Sequence, residues 1–396
     1  MTSAPQQRPV SVGRLQASAF AGIFVFGIVM AVLGAILPSL FERLWIDKAE
    51  AGGLFLLMNF AMLVVSFFFG PVVDRFGFKY FLAASALLVA LSFGLLAVAP
   101  TYGLIVLAVV VLGLGGGGLN GGTNALINDL HPGGQGSALN LLGIFFGFGA
   151  LTIPFLIGTL LAGIGLVRIL FLAAAAGLVP LLMFLTLRFP EAKQPQGFPI
   201  RKAKLIAGDP LLWICAFILF FQSGNEFTAG GWISTYLQEG HGLTGAAASF
   251  VLAGYWGAIM AGRFAASRIV GRTGNHPLVL GSALLSLAAA GLLVAAPSGV
   301  WAAAGALLLG LGFAAIYPTT LATAGERFAS ISGTAFSILF TVALSGGMLG
   351  PWLAGLIAKS SSLRRGLLLP VVNCAAIIVL QVFLSRVSKK ERPPSV

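Results

Sequence analysis

Residues 211–236 read LLWICAFILFFQSGNEFTAGGWISTY. The first eleven are apolar without a break, and a short polar interval follows that contains a single carboxylate, Glu226. About 20 apolar residues in a helix cross roughly 30 Å of hydrocarbon, so the stretch predicts a spanning helix with an acid near its middle. Similar runs recur along the 396-residue chain, which is 58% hydrophobic and 9% charged, with a mean hydropathy of +1.00. Soluble domains carry about 25% charged residues. The runs are continuous rather than alternating, which excludes a membrane β-barrel. The fold class is therefore an all-α membrane protein. Twelve transmembrane helices are expected, at 18–41, 50–72, 79–99, 102–128, 135–162 and 167–187, then 210–237, 245–270, 276–296, 299–324, 330–358 and 364–386.

Between the sixth and seventh runs lies RFPEAKQPQGFPIRKAKLIAGD, residues 188–209, polar, basic and proline-rich. That composition reads as a linker between an N-terminal bundle, 1–187, and a C-terminal bundle, 210–396. Of the 23 Lys and Arg, Arg263 sits inside a run, and Arg43, Lys48, Arg168, Lys359, Arg364 and Arg365 fall in one set of alternate loops. The other sixteen fall in the opposite set, with both termini. Basic residues are retained on the cytoplasmic side, so both ends are expected inside, in a multi-pass protein of the plasma (cytoplasmic) membrane. The same retention accounts for the net charge of +12 without nucleic acid. A polar stretch with Arg8 and Arg14 precedes a first run of full spanning length, which reads as a tail and a retained helix.

The two halves match at a constant offset of 197 residues. Asp74-Arg75-Phe76-Gly77 corresponds to Gly271-Arg272-Thr273-Gly274, Gly113 to Gly310, Asp129 to Glu326, and Gly149, Pro154 and Gly158 to Gly346, Pro351 and Gly355. Parallel repeats of this kind place a site near the midplane between the halves, reached alternately as one half rocks against the other.

The stretch GPVVDRFGFK, residues 70–79, joins the second and third helices and resembles the G-x-x-x-D-R-x-G-x-K/R signature of the major facilitator superfamily. The bland reading is a short basic turn. The resemblance implies the twelve-helix fold and secondary transport, with Asp74, Arg75, Lys79, Asp129, Arg272 and Glu326 as gating residues. Asp129 and Glu326 are the expected partners of Arg75 and Arg272. Four further segments, GLGGGGLNGGTNALI (113–127), NEFTAGGWISTYL (225–237), YWGAIMAGR (255–263) and GLGFAAIYPTTLA (310–322), are similar to the sugar-transporting branch that includes fucose:proton symporters. That branch has a helix-4 acid where this chain has Asn120, an amide that cannot titrate.

Glu226 is then the one carboxylate well inside a span, and an intramembrane acid marks an ion or substrate path. Arg263, in the middle of the eighth run, needs an anion, so Glu226 and Arg263 are the expected coupling pair; the bland reading makes them a structural pair. Gln222 lies one helical turn from Glu226, with Asn225 adjacent. Gly230 and Gly231 should weaken the helix beyond, and Trp232 and Tyr236 share a face that would stack on a sugar ring. Asn120, Asn124 and Asn128 form a stripe whose amides suit a neutral hydroxylated solute, or tie helices together. Tyr317, the repeat counterpart of Asn120, should face the same cavity. Tyr255, Trp256 and Trp352 are weaker candidates, with an ordinary packing reading.

His131, His241 and His276 lie at helix ends, and Cys215 and Cys374 lie in apolar runs, so no enzyme, metal site or cofactor is indicated. The expectation is a monomeric symporter of a sugar or small neutral solute, coupled to protons or sodium. A proton-coupled exporter of drugs or amphipathic metabolites is the alternative.

Overall fold

The computed structural model describes residues 11–131, 135–189, 208–328 and 332–390. Most of the expected linker 188–209 lies outside them, as do the chain ends. The rest is helical, with no strand among the described residues. Hydrocarbon offers no hydrogen-bond partners, so a spanning segment must satisfy its backbone internally.

Eleven helices are long and apolar enough to cross a membrane, and one of them, Leu141–Thr186, has 46 residues, about twice the length a bilayer needs. It is two spans joined at Gly165, where φ is 76° and ψ 162°, a backbone region essentially closed to residues with a β-carbon. The chain then returns, and Phe184 packs against Gly22 near the start of the first helix. The twelve spans are α1 (Val12–Leu44), α2 (Lys48–Phe76), α3 (Phe78–Val98), α4 (Tyr102–Leu130), α5 and α6 on either side of Gly165 within Gln135–Thr186, and α7 (Pro210–His241). They continue with α8 (Gly245–Thr273), α9 (Asn275–Ala295), α10 (Gly299–Arg327), α11 (Ser332–Ser360) and α12 (Leu368–Lys390).

The internal repeat extends to the backbone. Gly77 and Gly274, equivalent at the offset of 197, both end a helix with positive φ, 77° and 79°, and the same ψ of 169°. This is why glycine persists there although Asp74 has no acidic counterpart. The helix α10 is interrupted at Ala314 and Ala315. Pro318 has no N–H to offer the carbonyl four residues back, so the helical ladder fails there.

The halves meet at the face opposite the chain termini. There Gly34 of α1 touches the Gly230 backbone of α7, Gly355 of α11 touches Lys48 and Gly52 of α2, and Phe155 and Gly158 of α5 meet Phe250 of α8. Two ion pairs cross the same seam, Lys48 to Glu239 at 3.0 Å and Lys359 to Asp47 at 2.7 Å. Asp47 also caps α2 in a capping box with Glu50. The Lys359 ammonium and the Glu50 amide hold its carboxyl below the ordinary carboxylate range. That tie is present above the ordinary pKa and is lost only as pH falls through the lowered one. Exposed pairs contribute little, so apolar and glycine packing is the larger part of the seam. The contact of Gly147 with Met260, near mid-length of α5 and α8, is among these the nearest to the termini.

Two outcomes follow. A β-carbon at Gly355 would collide with the Lys48 carbonyl oxygen, so Gly355→Leu should hold this face open. A thiol cross-linker spanning Lys48→Cys and Glu239→Cys should react in the parent and lose most of its yield in that variant. Gly165→Ala, forced to positive φ, should destabilise by about 1–3 kcal/mol, read as a lowered Tm in detergent.

Candidate functional site

α7 carries Gln222 and Glu226 one turn apart, so both project to one side. Gln222 Nε2 donates to Glu226 Oε1 at 3.0 Å and to the Phe313 carbonyl at 3.3 Å. Phe313 closes the first segment of α10, directly before the break, and its carbonyl is a main-chain acceptor for Gln222. Discontinuous helices serve transporters in this way. From α8, Arg263 Nη2 lies 3.8 Å from Glu226 Oε2, and the two side chains are 34% and 13% exposed. The pair is loose, longer than a hydrogen bond, and borders open space on its Arg263 side. The Tyr255 hydroxyl donates to the Glu226 carbonyl at 3.3 Å. Tyr255 and Tyr317 both lie within Coulombic range of the two charges. The expected contact of Glu226 with Arg263 is thus present, with Gln222 and Tyr317 beside it.

Gln222 Oε1, Arg263 Nε and, two turns from Arg263 on α8, Trp256 Nε1 are buried without a protein partner, as are Asn225 Oδ1 and Thr228 Oγ1 elsewhere on α7. Trp256 covers Gly230 and meets Phe146 of the first half edge-on, with ring centroids 6.5 Å apart. Its sequence offers only a tryptophan in an apolar helix, a signal that does not separate packing from binding.

In the first half, α4 presents Asn120 and Asn124, the latter exposed. Asn124 Nδ2 donates to Asn120 Oδ1 at 3.1 Å and to its carbonyl at 2.9 Å. Gly115, Gly118 and Gly122 of α4 pack on α3, Thr123 and Leu119 on α1, and Gly117 and Gly121 on α2. The asparagines therefore point away from α3, into the gap between α1 and α2, the helices that meet the second half.

Other expected groups sit elsewhere. Trp232 and Tyr236 present no open stacking surface. Both are buried; Trp232 donates to the Pro351 carbonyl at 3.0 Å and packs on Phe55, and Tyr236 donates to the Leu293 carbonyl at 3.2 Å. Gly230 and Gly231 do not break α7, which runs 32 residues; they admit Gly34, Trp256 and Phe55. Asn225 is buried against α12, donating to Cys374 Sγ at 3.5 Å. At the face carrying the termini, Arg75 lies over the Phe76 ring and Lys79 over the Tyr80 ring. The side chain of Asp74 lies outside the described residues, and Asp129 makes an interaction of its own. Arg272 is exposed, and Glu326, its expected partner, accepts from Asn275 at 3.1 Å. The tie seen there joins Arg327 to Asp209 at 3.2 Å. The described residues hold no group of three or more metal-ligating side chains.

Comparison with known proteins agrees with this architecture. An uncharacterized MFS-type transporter of Bacillus subtilis, YfkL, is 24% identical over 354 residues, covering 87% of this chain and 89% of its own. A bacterial homolog of the human lysosomal transporter Spinster, solved in an inward-facing and occupied conformation, superposes with a TM-score of 0.78 at 16% identity, over 100% of both chains. A D-xylose–proton symporter superposes with 0.79 at 16% identity, over 94% of this chain and 97% of its own. At such identity the likeness is one of fold. The sequence profile of the Major Facilitator Superfamily matches residues 19–351, and this chain belongs to that superfamily of membrane transporters.

Proposed function

We propose that this protein is a proton-coupled symporter of a small hydroxylated solute of the sugar kind, working by alternating access, with Glu226 as the coupling group. The observation that carries this reading is a carboxylate only 13% exposed, held by Gln222 and loosely by Arg263, beside buried polar atoms that lack protein partners. An acid in hydrocarbon is costly and by default functional. A proton suits the site better than sodium. The neighbours of the carboxylate are the N–H groups of Gln222 and Arg263, which turn positive ends toward any bound metal ion, whereas a proton joins the carboxylate covalently.

With the basic loops taken as cytoplasmic, the closed seam is extracellular and the Asn120–Asn124 side opens inward. The charged residues of that inner face, Asp74, Arg75, Lys79, Asp129, Arg272 and Glu326, then act when the carrier turns outward. The resemblance of four segments to the sugar-transporting branch supports the solute class, as does the amide pair on α4. The plasma membrane is the expected location, with the carrier acting as a monomer.

The test begins with purified protein and a thermal-shift screen against sugars and sugar acids at several pH values, with and without sodium. A solute that stabilises the protein is then followed in proteoliposomes. One proton per solute should allow about tenfold accumulation per unit of imposed pH gradient. Glu226→Gln should lose the accumulation and keep solute exchange. Unchanged accumulation in that variant removes Glu226 from the coupling role.

A further inference from the structure

Arg263 asks for more than Glu226 gives it. A guanidinium carries five N–H donors in one plane and matches a carboxylate through two parallel hydrogen bonds. Here the approach to Glu226 is 3.8 Å through one nitrogen, and Nε has no protein partner although it is buried. Trp256, 5% exposed, has a buried N–H without a protein partner, and fully buried Gln222 has an oxygen without one. Arg263 and Trp256 are seven residues apart on α8 and so share a face. Gln222, Glu226 and Gly230 form the facing stripe of α7, with Trp256 lying on Gly230.

Resting on the coupling role of Glu226, we propose that the transported solute is a small organic monoanion, a hydroxycarboxylate, whose carboxylate takes Arg263 as the proton takes Glu226. This amends the neutral solute expected from the sequence, and the reason is charge balance. In the empty carrier the ion pair is neutral. A proton alone leaves an unpaired guanidinium, and an anion alone leaves excess negative charge. With both bound, the site is neutral again. An unpaired charge in the occluded site is strongly disfavoured, so only the empty and doubly loaded forms change orientation readily. A neutral sugar arriving with a proton would leave Arg263 without an anion.

The charged and titratable groups near the Glu226 carboxylate are few. They are Arg263 and Tyr255 from α8 and Tyr317 from α10; α1 between residues 15 and 41 and α11 between 338 and 358 contribute none. Among the described residues no second acid is placed beside Glu226 to carry the proton in its stead. Trp256 Nε1 and Gln222 Oε1 serve the solute's hydroxyl groups on this side, and Asn120 and Asn124 serve them from α4.

The experiment uses full-length protein in proteoliposomes, with gluconate and glycerate as the anionic probes and sorbitol and glycerol as their uncharged counterparts. An acid pulse is applied while potassium and valinomycin set the membrane potential. The expected result is accumulation of a carboxylate, with one proton entering per solute and a rate that does not change with potential. Arg263→Lys keeps the charge and loses the fork, and should raise the half-saturating concentration by about an order of magnitude. Sorbitol or glycerol moving with a Glu226-dependent proton, faster at inside-negative potential, overturns the anion assignment and leaves the coupling scheme standing. Carboxylate uptake that varies with potential, or that keeps its affinity in Arg263→Lys, overturns it as well. Absence of Glu226-dependent flux with all four probes overturns both readings.

Discussion

A carboxylate and a guanidinium 3.8 Å apart, inside a bundle of apolar helices, set the constraint that the rest of the site answers. Their attraction is about 4 kcal/mol at an effective dielectric near 20, and less where Arg263 still meets open space. Taking each ion out of water costs several kcal/mol. The terms nearly cancel, so the pair is poised rather than locked. Gln222, anchored to the Phe313 carbonyl, holds the carboxylate in place while Arg263 keeps unused donors.

The repeat builds the scaffold twice and the chemistry once. At the offset of 197, Glu226 corresponds to Val29, Arg263 to Ser66 and Trp256 to Asn59, while Asn120 corresponds to Tyr317. Charge is thus confined to the second half, and the first half faces it with amides. Backbone geometry is shared even where side chains diverge, as the matching turns at Gly77 and Gly274 show. A turn of positive φ constrains the chain whatever the neighbouring residue does.

Closure at the face opposite the termini depends on residues without side chains. Gly34 against Gly230, and Gly355 against Gly52, bring backbones together more closely than any β-carbon would permit. The ion pairs of Asp47 and Lys48 ride on that seam. These contacts bury little charge and are mostly packing, whereas an extended buried polar network would resist separation.

The sequence by itself determined the class, the twelve spans, their approximate limits, the twofold repeat and the acid at the centre. Each is written in local terms: run length against bilayer thickness, a recurring offset, and a carboxylate in hydrocarbon. The pairing of Glu226 with Arg263 was legible too, since an isolated guanidinium in a span demands an anion. Only the tertiary structure decided which polar groups face the cleft. Trp232, Tyr236 and Asn225 share α7 with Glu226, yet their hydrogen bonds go to Pro351, Leu293 and Cys374, because helix packing, unknown to a one-dimensional pattern, covers those faces. Trp256 and the Phe313 carbonyl entered the site for the same reason, one through a neighbouring glycine and the other through a helix broken ahead of Pro318. Where aqueous segregation of polar and apolar residues is absent, facing direction is set by contacts between helices, and those are fixed only when the bundle assembles.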